Sequence, residues 1–317
     1  MNPDILQRSL TAYLAIRDAL GFRRQPTASL LTDFVQYVLT QNLVGPIRAQ
    51  LAVDWACNGS VSRTGGAQAA RLTKVRGFLH FLRASAPDTE VPAHHLLATP
   101  RRSLPYLFST AELTRLMVTL EQTPPSPSLC PLLWSTLCGL LASTGLRTGE
   151  ALRLTDDDVV LDAEPPHLRI LETKFHKSRL VPLHPSTTDH LRAYITQRRV
   201  RGDHLLSNVF FPTRTGKPLH RSTVIRVFQQ ITHRLGIHPR EGQRAPSLHC
   251  LRHTFAVNRL RAWYATGHEV QELLPHLSVY LGHGRPQESY WYLTATPELL
   301  TAAAERFQRY AEPEGGV

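Results

Sequence analysis

The stretch Leu248-His-Cys-Leu-Arg-His-Thr-Phe-Ala256 decides how the rest of the chain is read. Placed on a helix, His249 and Arg252 stand at i and i+3 and share a face, so both can address one phosphate. His253 is turned about 100° away from Arg252 and is expected to pack or cap. A His/Arg pair at this spacing is common on protein surfaces. The groups on either side give it meaning.

Upstream, Thr144-Gly-Leu-Arg-Thr-Gly-Glu150 puts Arg147 at a glycine-rich break after the apolar helical stretch Leu132 to Ser143. A planar guanidinium held there reaches two phosphate oxygens at once, and Glu150, three residues on, is placed to orient it. A capping arginine on a solvated turn is the plainer alternative. Next comes Thr173-Lys-Phe-His-Lys-Ser-Arg179, joining the strand-like pieces Leu168–Thr173 and Arg179–Leu183. The chain has only four lysines, Lys74, Lys174, Lys177 and Lys217, against 32 arginines, and two of the four lie in this hairpin. Such a bias suggests a lysine kept where an amine must give up its proton, work for which arginine is poorly suited. Two lysines on a solvated hairpin tip remain the alternative. Downstream, Tyr280-Leu-Gly-His-Gly284 sets His283 in a glycine-bounded turn, and Tyr290-Trp-Tyr292 follows. Tyr290 and Tyr292 stand about 200° apart on a helix, so both cannot face one point. Core packing accounts for at least one of the three aromatics.

In type, order and spacing, Arg147, Lys174, His249, Arg252, His283 and Tyr292 resemble the tyrosine recombinase (phage integrase) family over about the last two thirds of the chain. Thr-Gly-x-Arg-x-x-Glu-x-x-x-Leu is met from Thr144 to Leu154, and Lys-x-x-Lys-x-Arg-x-Val-Pro from Lys174 to Pro182. Tyr292 falls nine residues after His283, where the family places its nucleophile. The resemblance implies that Tyr292 attacks a DNA phosphate, giving a 3′-phosphotyrosine and a free 5′-hydroxyl. Arg147 and Arg252, helped by His283, would hold the phosphate, His249 would assist as base, and Lys174 would protonate the leaving oxygen, with Lys177 as second candidate. It further implies a site-specific recombinase that cuts and rejoins double-stranded DNA without metal, nucleotide or other cofactor. The partners implied are duplex DNA, copies of the same chain forming a tetramer on it, and accessory recombination proteins. The segment Leu293-Thr-Ala-Thr-Pro-Glu-Leu299 resembles transposon-encoded members.

Three rival readings stand beside this one. A type IB topoisomerase shares the chemistry but relaxes DNA, and an accessory subunit binds DNA without cutting it. A metal-dependent hydrolase lacks ligands, since the one His-x-x-x-His pair, His249 and His253, has no carboxylate at ligand spacing.

The bulk numbers agree with a nucleic-acid partner. At 317 residues, 42% hydrophobic and 19% charged, the chain has the make-up of two globular domains. A net charge of +11 favours a polyanion, and both parts share it, with +4 in residues 1–100 and +7 in the remainder. Four scattered cysteines without a Cys-x-x-Cys pair read as buried thiols of a reducing compartment. The first residues carry no signal peptide pattern and no apolar run approaches a membrane span, so a cytoplasmic, nucleoid-associated protein is expected.

Before Ser85, four helical stretches predict a small bundle. The clearest carries Leu72, Val75, Leu79 and Leu82 at i, i+3, i+7 and i+10, with Phe78 on the same side. Arg71 and Lys74 beside that stripe, and Arg76 on its other flank, are candidate DNA contacts or a solvated rim. From Ser85 to Pro105 the periodicity fails and prolines recur, which reads as an interdomain connection. We place a core-binding domain at 1–98, a linker at 99–105 in which Arg101 and Arg102 are set to meet phosphate, and a catalytic domain at 106–317. Ser109-Thr-Ala-Glu112 has the pattern of a capping box, Lys177 and Arg179 are further candidate DNA contacts, and Pro297 to Tyr310 reads as a closing helix that either folds back on its own domain or, as the resemblance implies, docks on a neighbouring protomer. The expected fold is mainly α, a helical bundle followed by a mostly helical catalytic domain with one small antiparallel β-sheet.

Overall fold

In the computed structural model the chain divides after Arg102 into two compact units. The structure describes residues 2–22, 25–58, 65–97, 104–122, 130, 132–171, 178–203, 207–239, 241–284, 287–294, 299–301, 304–305 and 307–308.

The first unit is built on α1 (Pro3–Ala19), α2 (Gln25–Thr40), α3 (Ala49–Asn58) and α4 (Gly65–Leu82). Leu72, Val75, Phe78, Leu79 and Leu82 of α4 are all buried and meet Phe34, Val35 and Trp55 from α2 and α3. Each large apolar side chain removed from water in this way stabilises the bundle by about 1.5–3 kcal/mol, so the apolar stripe is what fixes α4 against its neighbours. The reading of Ser85 to Pro105 as connection needs correction. Glu90 accepts from Arg48 Nη1 at 2.5 Å and from the Ala49 amide at 2.9 Å, and Ala86 and Val91 pack on the bundle core. This part of the proline-bearing stretch belongs to the first unit, because its breakers end a helix without ending the packing.

The second unit opens with α5 (Thr110–Gln122). The capping box forms: the Ser109 amide donates to Glu112 Oε2 at 2.8 Å and the Glu112 amide to Ser109 Oγ at 3.2 Å. Then come α6 (Leu133–Thr144) and the single turn α7 (Thr148–Ala151). Leu133, Trp134, Leu137, Leu140 and Leu141 bury α6 on nearly every side, which is why it is apolar all round. A three-stranded antiparallel sheet follows in the order β1 (Val159–Val160), β2 (His167–Ile170), β3 (Arg179–Pro182). Its register pairs Leu168 with Val181 and Ile170 with Arg179. Leu168, Ile170 and Val181 face the core while Arg169 and Leu180 face outward, the alternation a half-buried strand requires.

The remaining helices are α8 (Pro185–Arg201), α9 (Arg221–Arg234), α10 (Leu248–Ala265), α11 (Val270–Leu281) and α12 (Gln287–Tyr290), the last leading into a 3-10 turn, Trp291–Thr294. Helix α10 belongs to two apolar clusters. Leu248, Cys250 and Leu251 join the larger one, and Ala256, Val257 and Leu260 join a smaller one with Leu281, Tyr292 and Leu299. Arg252 therefore falls between the two sets, with His249 three residues before it on the same face. Beyond the 3-10 turn Leu299 is buried on its own unit, while Leu300 and Phe307 are exposed. Among the described residues no helix is long and apolar enough to cross a membrane.

Candidate active site

Two glycine-terminated helices frame the site. Helix α6 ends at Gly145 in the left-handed conformation, φ +64°. A Cβ there would lie 2.6 Å from Phe255 and 2.9 Å from Leu281, so both the backbone and the space call for glycine. The chain then turns out through Arg147, whose main chain caps α7. Helix α11 ends the same way at Gly282, φ +66°, and delivers His283, whose amide donates to Ser278 O at 2.9 Å.

Arg252 joins these two ends. Its side chain is 2% exposed, and Nη1 donates to Gly145 O at 2.8 Å while Nη2 donates to Leu281 O at 2.7 Å. Carbonyls at helix C-termini carry partial negative charge and suit a guanidinium. Arg147 adds a third tie, with Nη2 donating to Gly282 O at 2.7 Å.

Glu150 is the buried carboxylate of this group. It accepts from Arg147 Nη1 at 2.9 Å and from the Arg147 amide at 3.0 Å. From β3, Arg179 grips it with both terminal nitrogens, at 2.9 and 3.2 Å, and donates through Nε to Tyr280 O at 2.8 Å. Burial alone would raise the Glu150 pKa, but hydrogen bonding and charge from Arg179, followed by Arg147, bring it down to about 2. Two guanidiniums thus share this carboxylate, and Arg252 beside them adds a third positive charge.

The histidines sit in that positive surplus. Burial first, then Arg252 and Arg147, lowers the His283 pKa to about 3. His249 keeps part of its ring open to solvent; the same causes in the same order, with Arg221 added, hold its pKa below the ordinary histidine value. Arg252 itself is brought down to about 10 by burial and by Arg147. His283 and Tyr292 stack, with ring centroids 6.1 Å apart and planes 16° from parallel. His253 is wedged against His249 at 4.4 Å, Trp291 at 5.0 Å and Tyr292 at 5.6 Å, so it packs, as its position on the helix predicts.

Five of the six expected residues, Arg147, His249, Arg252, His283 and Tyr292, are thus gathered around the ends of α6 and α11. Lys174 and Lys177 lie outside the described residues, as do Arg101 and Arg102. Two candidate DNA contacts need correction. Arg179 is spent on Glu150 and Tyr280 and is a buttress of the site. Arg76 is 8% exposed and donates to Pro92 O and Ala93 O, both at 2.8 Å, so it ties the proline-bearing segment to α4. Arg71 lies 3.9 Å over the Trp55 ring, with Asp33 at 3.5 Å, which leaves Lys74 as the half-buried cation of that face. Sequence reading missed Arg179's grip, 29 residues from Glu150, and Ser289, whose Oγ lies 2.7 Å from His283 Nδ1. Among the described residues no three His, Cys, Asp or Glu side chains gather to hold a metal ion.

The model of the phage integrase family matches residues 108–281. Integrase/recombinase y4rB of Sinorhizobium fredii is 36% identical over 308 residues, 96% of this chain and 97% of that protein. The chain belongs to the phage integrase family. By class it is an enzyme, a tyrosine-type site-specific recombinase. Tyrosine recombinase XerD of Mycobacterium tuberculosis is 32% identical over 229 residues, covering 70% of each chain. Among solved structures, the integrase of transposon Tn1549 in complex with transposon right end DNA superposes with a TM-score of 0.64, over 96% of this chain and 99% of that one. At 14% identity, that likeness speaks for the fold of this family member.

Proposed function

We propose that this integrase-family chain cuts and rejoins duplex DNA through Tyr292, with Arg147, Arg252 and His283 holding the reacting phosphate. One observation carries the reading: the Tyr292 ring is stacked on His283, and His283 follows the helix end that Arg252 and Arg147 bind. A phosphodiester carries one negative charge and its pentacoordinate form two. Three guanidiniums against one carboxylate therefore favour the second state over the first, which is what lowers a barrier. His249, its pKa lowered, is unprotonated at neutral pH and can accept the Tyr292 proton, while Lys174 gives one to the leaving 5′-oxygen. The covalent phosphotyrosine conserves the energy of the broken bond, so rejoining needs neither nucleotide nor metal in this scheme.

In this reading the first unit is the core-binding domain, the second is catalytic, and the working form on DNA is a homotetramer to which accessory recombination proteins add control. Exposed Leu300 and Phe307, beyond the point where Leu299 docks, suit contact with a neighbouring protomer. The test is covalent capture on a nicked suicide duplex carrying a site selected from random DNA. Tyr292→Phe should abolish the adduct and leave duplex affinity within about threefold. Tyr290, exposed on α12, is the control. An adduct that survives in Tyr292→Phe and disappears in Tyr290→Phe would overturn the assignment.

A further inference from the structure

We propose that Ser289 is a positioning residue for His283, its hydroxyl deciding which ring nitrogen carries the proton offered to the phosphate. The proposal rests on His283 acting at the phosphate, as in the function above. Ser289 lies on α12, three residues before Tyr292, and is 0% exposed. Its Oγ is 2.7 Å from His283 Nδ1.

A neutral imidazole has one N–H and one acceptor nitrogen, so it can serve an anion only if the right nitrogen holds the hydrogen. A serine hydroxyl can donate or accept. When Ser289 donates to Nδ1, the ring proton stands on Nε2 and is available to a phosphate oxygen. When Ser289 accepts from Nδ1–H, Nε2 becomes an acceptor and opposes the anion. A permanently charged ring would have no such choice to settle. With burial and the neighbouring arginines keeping His283 neutral at pH 7, the choice has to be made, and a buried hydroxyl at hydrogen-bond distance makes it.

The same bond joins two events. Ser289 and Tyr292 stand on consecutive turns of one short segment, and His283 follows α11. The hydrogen bond holds only while the segment bearing the nucleophile is seated beside the histidine. A displaced Tyr292 segment thus releases His283 from its donating form, which ties proton placement to the position of the nucleophile.

The test is a double-mutant cycle on single-turnover cleavage of a nicked suicide duplex by the full chain. Ser289→Ala should slow adduct formation about 10–100-fold, the usual cost of losing an orienting partner, with duplex affinity within about threefold of wild type. Ser289→Thr, which keeps the hydroxyl, should restore most of the rate. In a His283→Ala background, Ser289→Ala should cost nothing more. Equal losses in both backgrounds would mean that Ser289 only packs, and would overturn the proposal, as would Ser289→Ala cleaving at the wild-type rate. If the alanine variant does not fold, Ser289→Cys, a weaker donor, runs the same cycle. A His283→Ala enzyme that cleaves normally would sink both this proposal and the role of His283. Loss of the adduct in Tyr292→Phe tests the broader function separately.

Discussion

Arg76 in the first unit and Arg252 in the second are buried helix arginines whose described hydrogen bonds all go to main-chain carbonyls. Arg76 of α4 takes Pro92 O and Ala93 O; Arg252 of α10 takes Gly145 O and Leu281 O. Their exposures, 8% and 2%, are alike. Burial and hydrogen bonding therefore do not tell a structural arginine from one proposed to act in chemistry, since any buried guanidinium has to be paired. Company does. Arg76 closes a loop onto a helix, whereas Arg252 stands among Arg147, Arg179 and two histidines with Glu150 as the shared carboxylate. The carbonyls differ in use as well. Those taken by Arg252 end the two helices that deliver Arg147 and His283, so its structural bonds also set the geometry of the site.

The contrast should be widest under the same conservative substitution. A lysine at 252 keeps the charge but not the planar fork that spans two helix ends. Arg252→Lys should slow adduct formation by about 10²–10³-fold, the scale seen when one donor to a developing charge is lost. Arg76→Lys gives up at least one carbonyl bond and should cost about 1–3 kcal/mol of stability, with the cleavage rate per folded molecule within about twofold. Urea melts and single-turnover rates read the two effects separately. A hundredfold slower cleavage in Arg76→Lys would erase the distinction.

That distinction was only partly legible in the chain. The box around His249 and Arg252 could be read because both residues lie within one helical turn, where spacing fixes direction. The glycines at 145 and 282 were visible as breaks, and the alternation from Leu168 to Ile170 as a strand. Contacts between distant segments left no such mark. Nothing near Glu150 announces Arg179, because a β-strand brings the pair together across 29 residues. Arg76 pointed to DNA from its place on the helix flank, while its acceptors lay in a proline-bearing stretch whose lost periodicity suggested a connection. The two-residue strand β1 is too short to show a period at all. Spacing reports which residue types share a helix; which groups neutralise them is decided by tertiary packing.

Acidification should separate the clusters by a smaller margin. Folding holds His249 and His283 below the ordinary value near 6.5, so between about pH 6.5 and 4 the unfolded chain binds protons that the folded one refuses. Stability must then fall as the pH falls through that window. Glu150, held at about 2, adds its own loss only below the ordinary carboxylate value of 4.5. Thermal melts of the DNA-free protein should show a Tm roughly 5 °C lower at pH 5 than at pH 7, and His283→Gln should shrink that difference. Inorganic phosphate at pH 5 should recover part of it, because an anion in the cluster favours the charged histidines. An undiminished pH difference in His283→Gln would show that the drop arises elsewhere in the chain.

The smallest effect belongs to the face of α4 that carries Arg71 and Lys74. Arg71 is held by the Trp55 ring and Asp33, so its charge has work inside the first unit. Lys74, one turn further on, is half-buried, and its long flexible amine is the phosphate contact proposed for this face. Removing a single such contact releases one fewer condensed counterion and touches no base, so it should weaken binding evenly across sequences. Lys74→Ala is expected to lower duplex affinity only about threefold at ~0.1 M salt and to reduce the salt slope of log K by about one. Cleavage at saturating DNA should be unaltered. Arg71→Ala should leave the slope in place and cost roughly 1 kcal/mol of stability through loss of its stacking on Trp55. Fluorescence anisotropy over a salt series, with melts of both variants, resolves the pair. A reduced slope in Arg71→Ala with none in Lys74→Ala would reverse these assignments and show that contacts inside the unit do not keep an arginine from DNA.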